Sequence, residues 1–170
     1  MRRGDGSVPD DGLPLRQLLA FRVHDGLFAL PLETVTEVMR MVAVTAVPDC
    51  PVWLAGVINL RGSVVPIVDL RSRLGLEIRA ARLTSRIIVV DVSGQAVGLV
   101  VDSTTEVVSV PQESVTRPDE LTGQARPVEA IARHGDQLVP ILDLRRIASG
   151  LERFGAAEIQ REEHGERVTC

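Results

Sequence analysis

Two carboxylates in matching surroundings are the first candidates for chemistry: Asp69 in Pro66-Ile67-Val68-Asp69-Leu70-Arg71, and Asp143 in Pro140-Ile141-Leu142-Asp143-Leu144-Arg145. Facing each other, they could act as the acid and base of a small hydrolytic or ligand-binding barrel. Each is followed two residues later by an arginine, and an Asp and an Arg on one strand face neutralise each other locally. Charge satisfaction at a strand end is therefore the favoured reading. The histidines His24, His134 and His164 fall in two turns and a polar tail, without the Cys, His or acidic spacing that binds metal. There is no Gly-x-Ser-x-Gly elbow and no Gly-x-Gly-x-x-Gly after a strand. All 19 basic residues are arginines, so the phosphate-loop lysine and the Schiff-base lysine are both missing. No catalytic, metal-binding or cofactor-binding set emerges, and the expectation is a protein that is not an enzyme.

Binding is better served. Arg61 stands at a turn between Leu60 and Gly62, after the apolar stretch from Trp53 to Leu60. A planar guanidinium at a hairpin tip suits bidentate contact with a carboxylate on another protein. Glu37 follows in Val35-Thr36-Glu37-Val38, where strict alternation puts Val35 and Glu37 on one face. Trp53, the only tryptophan, reads as a plug in a core or seam. The net charge of −4 disfavours broad binding to nucleic acid or anionic membrane. Aromatics at 2%, with no tyrosine, leave no stacking platform for bases. No apolar run reaches the ~20 residues a spanning helix needs, and Met1 to Asp11 lacks the apolar core of a secretory signal. A cytoplasmic location is expected, with Cys50 and Cys170 held as thiols.

The elements that must position these residues are strands. Residues 1–14 read as a mobile leader, 15–149 as the folded domain, and 150–170 as a short helix and tail. Four hairpins are legible, at His24-Asp25-Gly26, Arg61-Gly62, Ser93-Gly94 and Arg133-His134-Gly135-Asp136, each with a glycine for the positive φ of a tight turn. They form two pairs spaced by roughly 70 residues. The first copy runs from Arg22-Val23-His24-Asp25-Gly26 to the Pro66 motif, and the second from Asp91-Val92-Ser93-Gly94 to the Pro140 motif. Each copy is too short to bury a generous core alone. The fold class is therefore mainly β: two small barrels, pseudo-repeated, packed through a shared apolar seam, with Val68 in the core. Pro66 and Pro140 belong on an edge strand, at a strand start or at a bulge, because proline cannot donate to a ladder.

From Val57 to Arg71, Asn-Leu-Arg-Gly followed by Val-Pro-Ile-Val-Asp-Leu-Arg resembles the CheW family of bacterial chemotaxis coupling proteins. Phe21 to Leu32 looks like that family's first hairpin, Gln95 to Asp102 like its Gly-Ile-Val-Val-Asp strand, and Glu106-Val107-Val108 with Pro111 follow in order. The resemblance spans about Leu15 to Ser149. It implies two barrels similar to SH3 barrels and a non-enzymatic adaptor. The implied partners are the cytoplasmic tip of a chemoreceptor and the regulatory domain of a CheA-type histidine kinase, with membrane association only through receptors. The same surfaces could serve a chemosensory pathway with another output, such as gliding or development. The implied partner-binding residues are Val35, Glu37, Gly56, Asn59, Arg61 and Gly98; for both glycines, close packing explains the match as well as contact does. Ala55 stands where the family often has a lysine, and the tail diverges.

Overall fold

The computed structural model describes residues 14–117 and 127–153. Its strands are β1 (Leu15–Val23), β2 (Gly26–Pro31), β3 (Val35–Arg40), β4 (Leu54–Leu60), β5 (Ser63–Asp69), β6 (Arg86–Val92), β7 (Gln95–Val101), β8 (Ser103–Pro111), β9 (Val115–Thr116), β10 (Val128–His134) and β11 (Gln137–Leu142). Two four-residue helices, α1 (Leu70–Arg73) and α2 (Leu144–Ile147), follow β5 and β11. All four expected hairpins form, and each closes through two residues. Arg61 and Gly62 have φ of 51° and 84°, and Ser93 and Gly94 have 55° and 85°. Positive φ at both turn residues is the type I′ geometry, whose twist matches that of the flanking strands.

Among the described residues the strands form two sheets, in the orders β8-β1-β2-β11-β10-β9 and β3-β6-β7-β5-β4. Both sheets curl into small barrels, because the strands at their opposite edges are neighbours in the chain. β8 and β9 are joined by the single 3₁₀ turn Gln112–Ser114. The chain after β3 returns to β4, where Thr45 and Val57 bond reciprocally, both at 2.9 Å.

The two sequence copies do not coincide with the two barrels. The leading hairpin of each copy sits in the sheet of the other. β1 pairs with β8 and β2 with β11, while β6 pairs with β3 and β7 with β5.

Strands of this protein are apolar on both faces, and the pleat explains why. Leu18, Ile67, Ile87 and Ile141 point into the two barrel interiors. Their neighbours Leu19, Val68, Ile88 and Leu142 point into a third core between the barrels, which also holds Phe21, Leu30, Leu99 and Leu151. Trp53 packs against this seam, as expected, with the Arg73 guanidinium 3.6 Å above its ring.

Some expectations are corrected. Pro66 and Pro140 lie inside β5 and β11, each flanked by two strands. They are tolerated because the parallel ladders begin one residue later, at Ile67 opposite Gly98 and Ile141 opposite Ala29. Asp69 and Asp143 are helix N-caps: Asp69 accepts from the Arg71 backbone N–H, and Asp143 from those of Arg145 and Arg146. The exposed amides of a helix start take these carboxylate oxygens, so neither aspartate pairs with the arginine two residues on; Asp143 instead has Arg146 Nε at 3.5 Å from its second oxygen, and no acid/base pair forms. Cys50 is half-buried against the seam. Leu151, in the 3₁₀ turn Leu151–Arg153, is buried in the seam. The leader to residue 13, the tail from 154, and with it Cys170, lie outside the described residues.

Candidate functional site

Arg61 is held at its tip by the turn beneath it. The Asn59 side-chain oxygen accepts the Gly62 backbone N–H at 2.9 Å, spanning the turn and fixing its left-handed residues. The Arg61 guanidinium then reaches β3. Its two terminal nitrogens donate to the two oxygens of Glu37, at 3.1 and 2.8 Å. The two residues singled out separately in the sequence, 24 positions apart, thus form one bidentate pair. β3 and the β4–β5 hairpin lie at opposite ends of the five-stranded order, so the pair spans the line along which that barrel closes.

The pair is wet. The Arg61 side chain is 73% exposed and that of Glu37 26%. The hydrogen bond from Arg61 holds the Glu37 carboxyl below its usual range, and Glu37 raises the Arg61 guanidinium in turn. Exposed pairs of this kind add little to stability. Their value here is orientation: a guanidinium with further free edges is displayed on a rigid turn, beside an acid that a partner's own charges can compete for.

Val35 does not share the face of Glu37. It lies opposite Val90, whereas Glu37 lies opposite Val89, and the register shifts between them. Adjacent residues of β6 face opposite ways, so a bulge at Thr36 has turned the strand over. Val35 consequently packs against the seam, and the expected shared face is corrected.

The two glycines are packing positions. Gly56 is buried, with φ of 141°, and a Cβ there would lie 2.1 Å from the Thr45 carbonyl oxygen. Only glycine lets the returning chain bond β4 that closely. Gly98 is buried in β7, where a Cβ would meet Ile67 Cδ1 at 2.4 Å.

Sequence reasoning missed Arg71. It is 4% exposed and pairs with Asp102, 31 residues on, while Arg145 at the same place in the matching motif is exposed. Nothing in the motif distinguishes them. His24 was expected to be solvated; its side chain is 23% exposed, with Nδ1 3.2 Å from Asp25. Among the described residues no cluster of three or more His, Cys, Asp or Glu could hold a metal ion, and no helix is long and apolar enough to cross a membrane.

Comparison with known families gives a match to the CheW-like domain over residues 17–152. The chain belongs to this family. It is 30% identical over 143 residues to the chemotaxis protein CheW of Helicobacter pylori, covering 84% of this chain and 87% of that one. It is 33% identical over 142 residues to the probable chemotaxis protein CheW of Rhizobium etli, covering 81% and 90%. The crystal structure of the scaffolding protein TtCheW from Thermoanaerobacter tengcongensis matches with a TM-score of 0.72 at 34% identity, over 76% of this chain and 89% of that one. The CheW-like fold of two barrels is thus shared with a solved scaffold at a similarity that extends to sequence.

Proposed function

We propose that this chain is a non-enzymatic adaptor that couples the cytoplasmic tip of a chemoreceptor to the regulatory domain of a CheA-type histidine kinase. Membership of a family whose relatives are named as chemotaxis and scaffolding proteins supports this. The observation that carries it to particular residues is the exposed Arg61–Glu37 pair on a rigid turn. In this reading Arg61 and Glu37 touch the partner, and Asn59 positions Arg61. Val35, Gly56 and Gly98 act from behind, by holding β3, β4 and β7 in place. The protein works in the cytoplasm and reaches the membrane only through receptors. Holding two partners at once raises the effective concentration of each at the other, so geometry alone can carry the signal.

The test is calorimetric titration of the chain into the regulatory domain of a CheA-type kinase from the same organism, and into a receptor-tip fragment, each repeated with Arg61→Glu. Saturable one-to-one binding to both is expected. The variant should weaken at least one interface tenfold or more while leaving the thermal midpoint within a few degrees, because a solvated turn residue contributes little to the fold. Failure to bind either partner would overturn the proposal. A large loss of thermal midpoint would instead make Arg61 a structural residue.

A further inference from the structure

An apolar seam holds two barrels together without prescribing their angle, because hydrophobic attraction is non-directional. Directional contacts across the seam must supply what it lacks. The Arg73 guanidinium of α1 donates to the Ser149 carbonyl beyond α2, and a larger cluster gathers at Asp102. The chain leaves β7 and enters β8 at Asp102, the residue at which it passes from the five-stranded barrel to the six-stranded one. The Asp102 backbone N–H donates to the Arg22 carbonyl of β1 at 2.9 Å. Its carboxylate accepts from the His24 backbone N–H at 2.5 Å, in the β1–β2 turn. The same carboxylate accepts from the Arg71 guanidinium, which projects from α1 at the end of β5. A second Arg71 nitrogen donates to the Arg79 carbonyl in the loop before β6, and the Arg71 backbone N–H is fixed by Asp69 at 2.8 Å. One ion pair thus joins a turn of one barrel, a helix and loop of the other, and the crossover between them.

A pair in which Arg71 is buried and Asp102 partly so is a poor source of stability, since a well-packed apolar replacement often does as well. What it can supply is a fixed arrangement. We infer that Arg71 and Asp102 form a latch that sets the angle at which the two barrels meet. They are then positioning residues for any partner that touches both barrels. The angle is a property of the chain itself; only its use by partners rests on the adaptor reading, so the test needs no partner.

The experiment places paramagnetic labels on azide-bearing non-canonical residues at exposed Gln95 and Gln137, one on each barrel, and reads their distance distribution by pulsed dipolar spectroscopy. Three backgrounds are compared with the parent: Arg71→Met, Arg145→Met, and the double variant Arg71→Met/Asp102→Asn. The double variant leaves no unpaired buried charge and keeps a carbonyl acceptor for the His24 N–H, so it provides the test even if the single variant does not fold. Expected is a double variant melting within about 4 °C of the parent, with a distance distribution at least twice as wide, while Arg145→Met changes neither. A parental width in the double variant would overturn the latch, since the seam would then fix the angle alone. A wider distribution accompanied by a large loss of melting temperature would also overturn it, because general loosening would account for the width.

Discussion

The two copies of Pro-Ile-x-Asp-Leu-Arg begin alike and end differently. In both, the proline precedes a parallel ladder, the isoleucine fills a barrel interior, the next residue faces the seam, and the aspartate caps a short helix. All of that is decided within the motif. The arginine is not. Arg71 lies where the loop after α1 and the crossover at Asp102 fold over it. Arg145, in the first turn of α2, has no such cover and stays in solvent. The same pattern holds one strand away, where Ile141 faces Ala29 but Ile67 faces Gly98. Local sequence sets strand, pleat and cap; the neighbours brought by distant segments decide which copy becomes specialised.

The most damaging way to probe this equivalence is to place a charge at the shared seam position. Val68 and Leu142 are both fully buried there, so Val68→Asp and Leu142→Asp should each cost on the order of 5 kcal/mol or more, comparable with the stability of the whole domain. Circular dichroism melts should show no cooperative transition for either. A native-like melt for one of them would mean that the two positions are not equivalent after all.

The arginines sharpen the contrast. Arg71→Met strands a partly buried Asp102 and should cost about 3 kcal/mol, whereas Arg145→Met should stay within about 0.5 kcal/mol. Urea unfolding of both variants measures the difference, and equal losses would erase it.

Smaller again is the glycine. Gly98→Ala installs the residue that the other copy already carries, against Ile67 Cδ1 and Ile87 Cγ2 at 2.4 and 3.0 Å. Because the first of these is the end of a flexible side chain, the expected cost in the same urea assay is about 1–3 kcal/mol. A neutral result would show that Ile67 moves aside freely.

The faintest effect lies at the exposed pair. The Glu37 carboxyl is held down by Arg61, so the pair is intact above the ordinary glutamate range and is lost as pH falls through the depressed value. Followed by the Glu37 carboxyl carbon in NMR, the titration midpoint should rise toward the ordinary range in Arg61→Ala. An unmoved midpoint would mean that the pair does not persist in solution.

What could be read from the sequence follows the same division. Glycine-bearing turns announced the hairpins, and the repeated Pro-Ile-x-Asp-Leu-Arg announced a doubled barrel with a shared seam. The bulge at Thr36 left no trace, because one inserted residue changes no residue type while inverting every side chain after it. The Arg61–Glu37 pair was visible as two candidates but not as one contact, since barrel closure is what brings β3 to the β4–β5 turn. Pairing β1 with β8 was equally hidden: the strands are rich in valine and leucine, and composition alone gives each several acceptable neighbours.

The exchange of leading hairpins between copies has a consequence for how the chain comes into being. On a ribosome, the β1–β2 hairpin emerges ahead of the other strands, yet its neighbours β8 and β11 are made only after the whole five-stranded barrel. The five-stranded barrel, drawn from residues 35–101, can close while the other is still waiting for four of its six strands. During that interval the side of the seam that faces the missing barrel is open to water. The repeat that is legible in the sequence is therefore not a unit that can be cut out: a chain divided between β5 and β6 would yield two fragments, each holding a hairpin that only the other can complete.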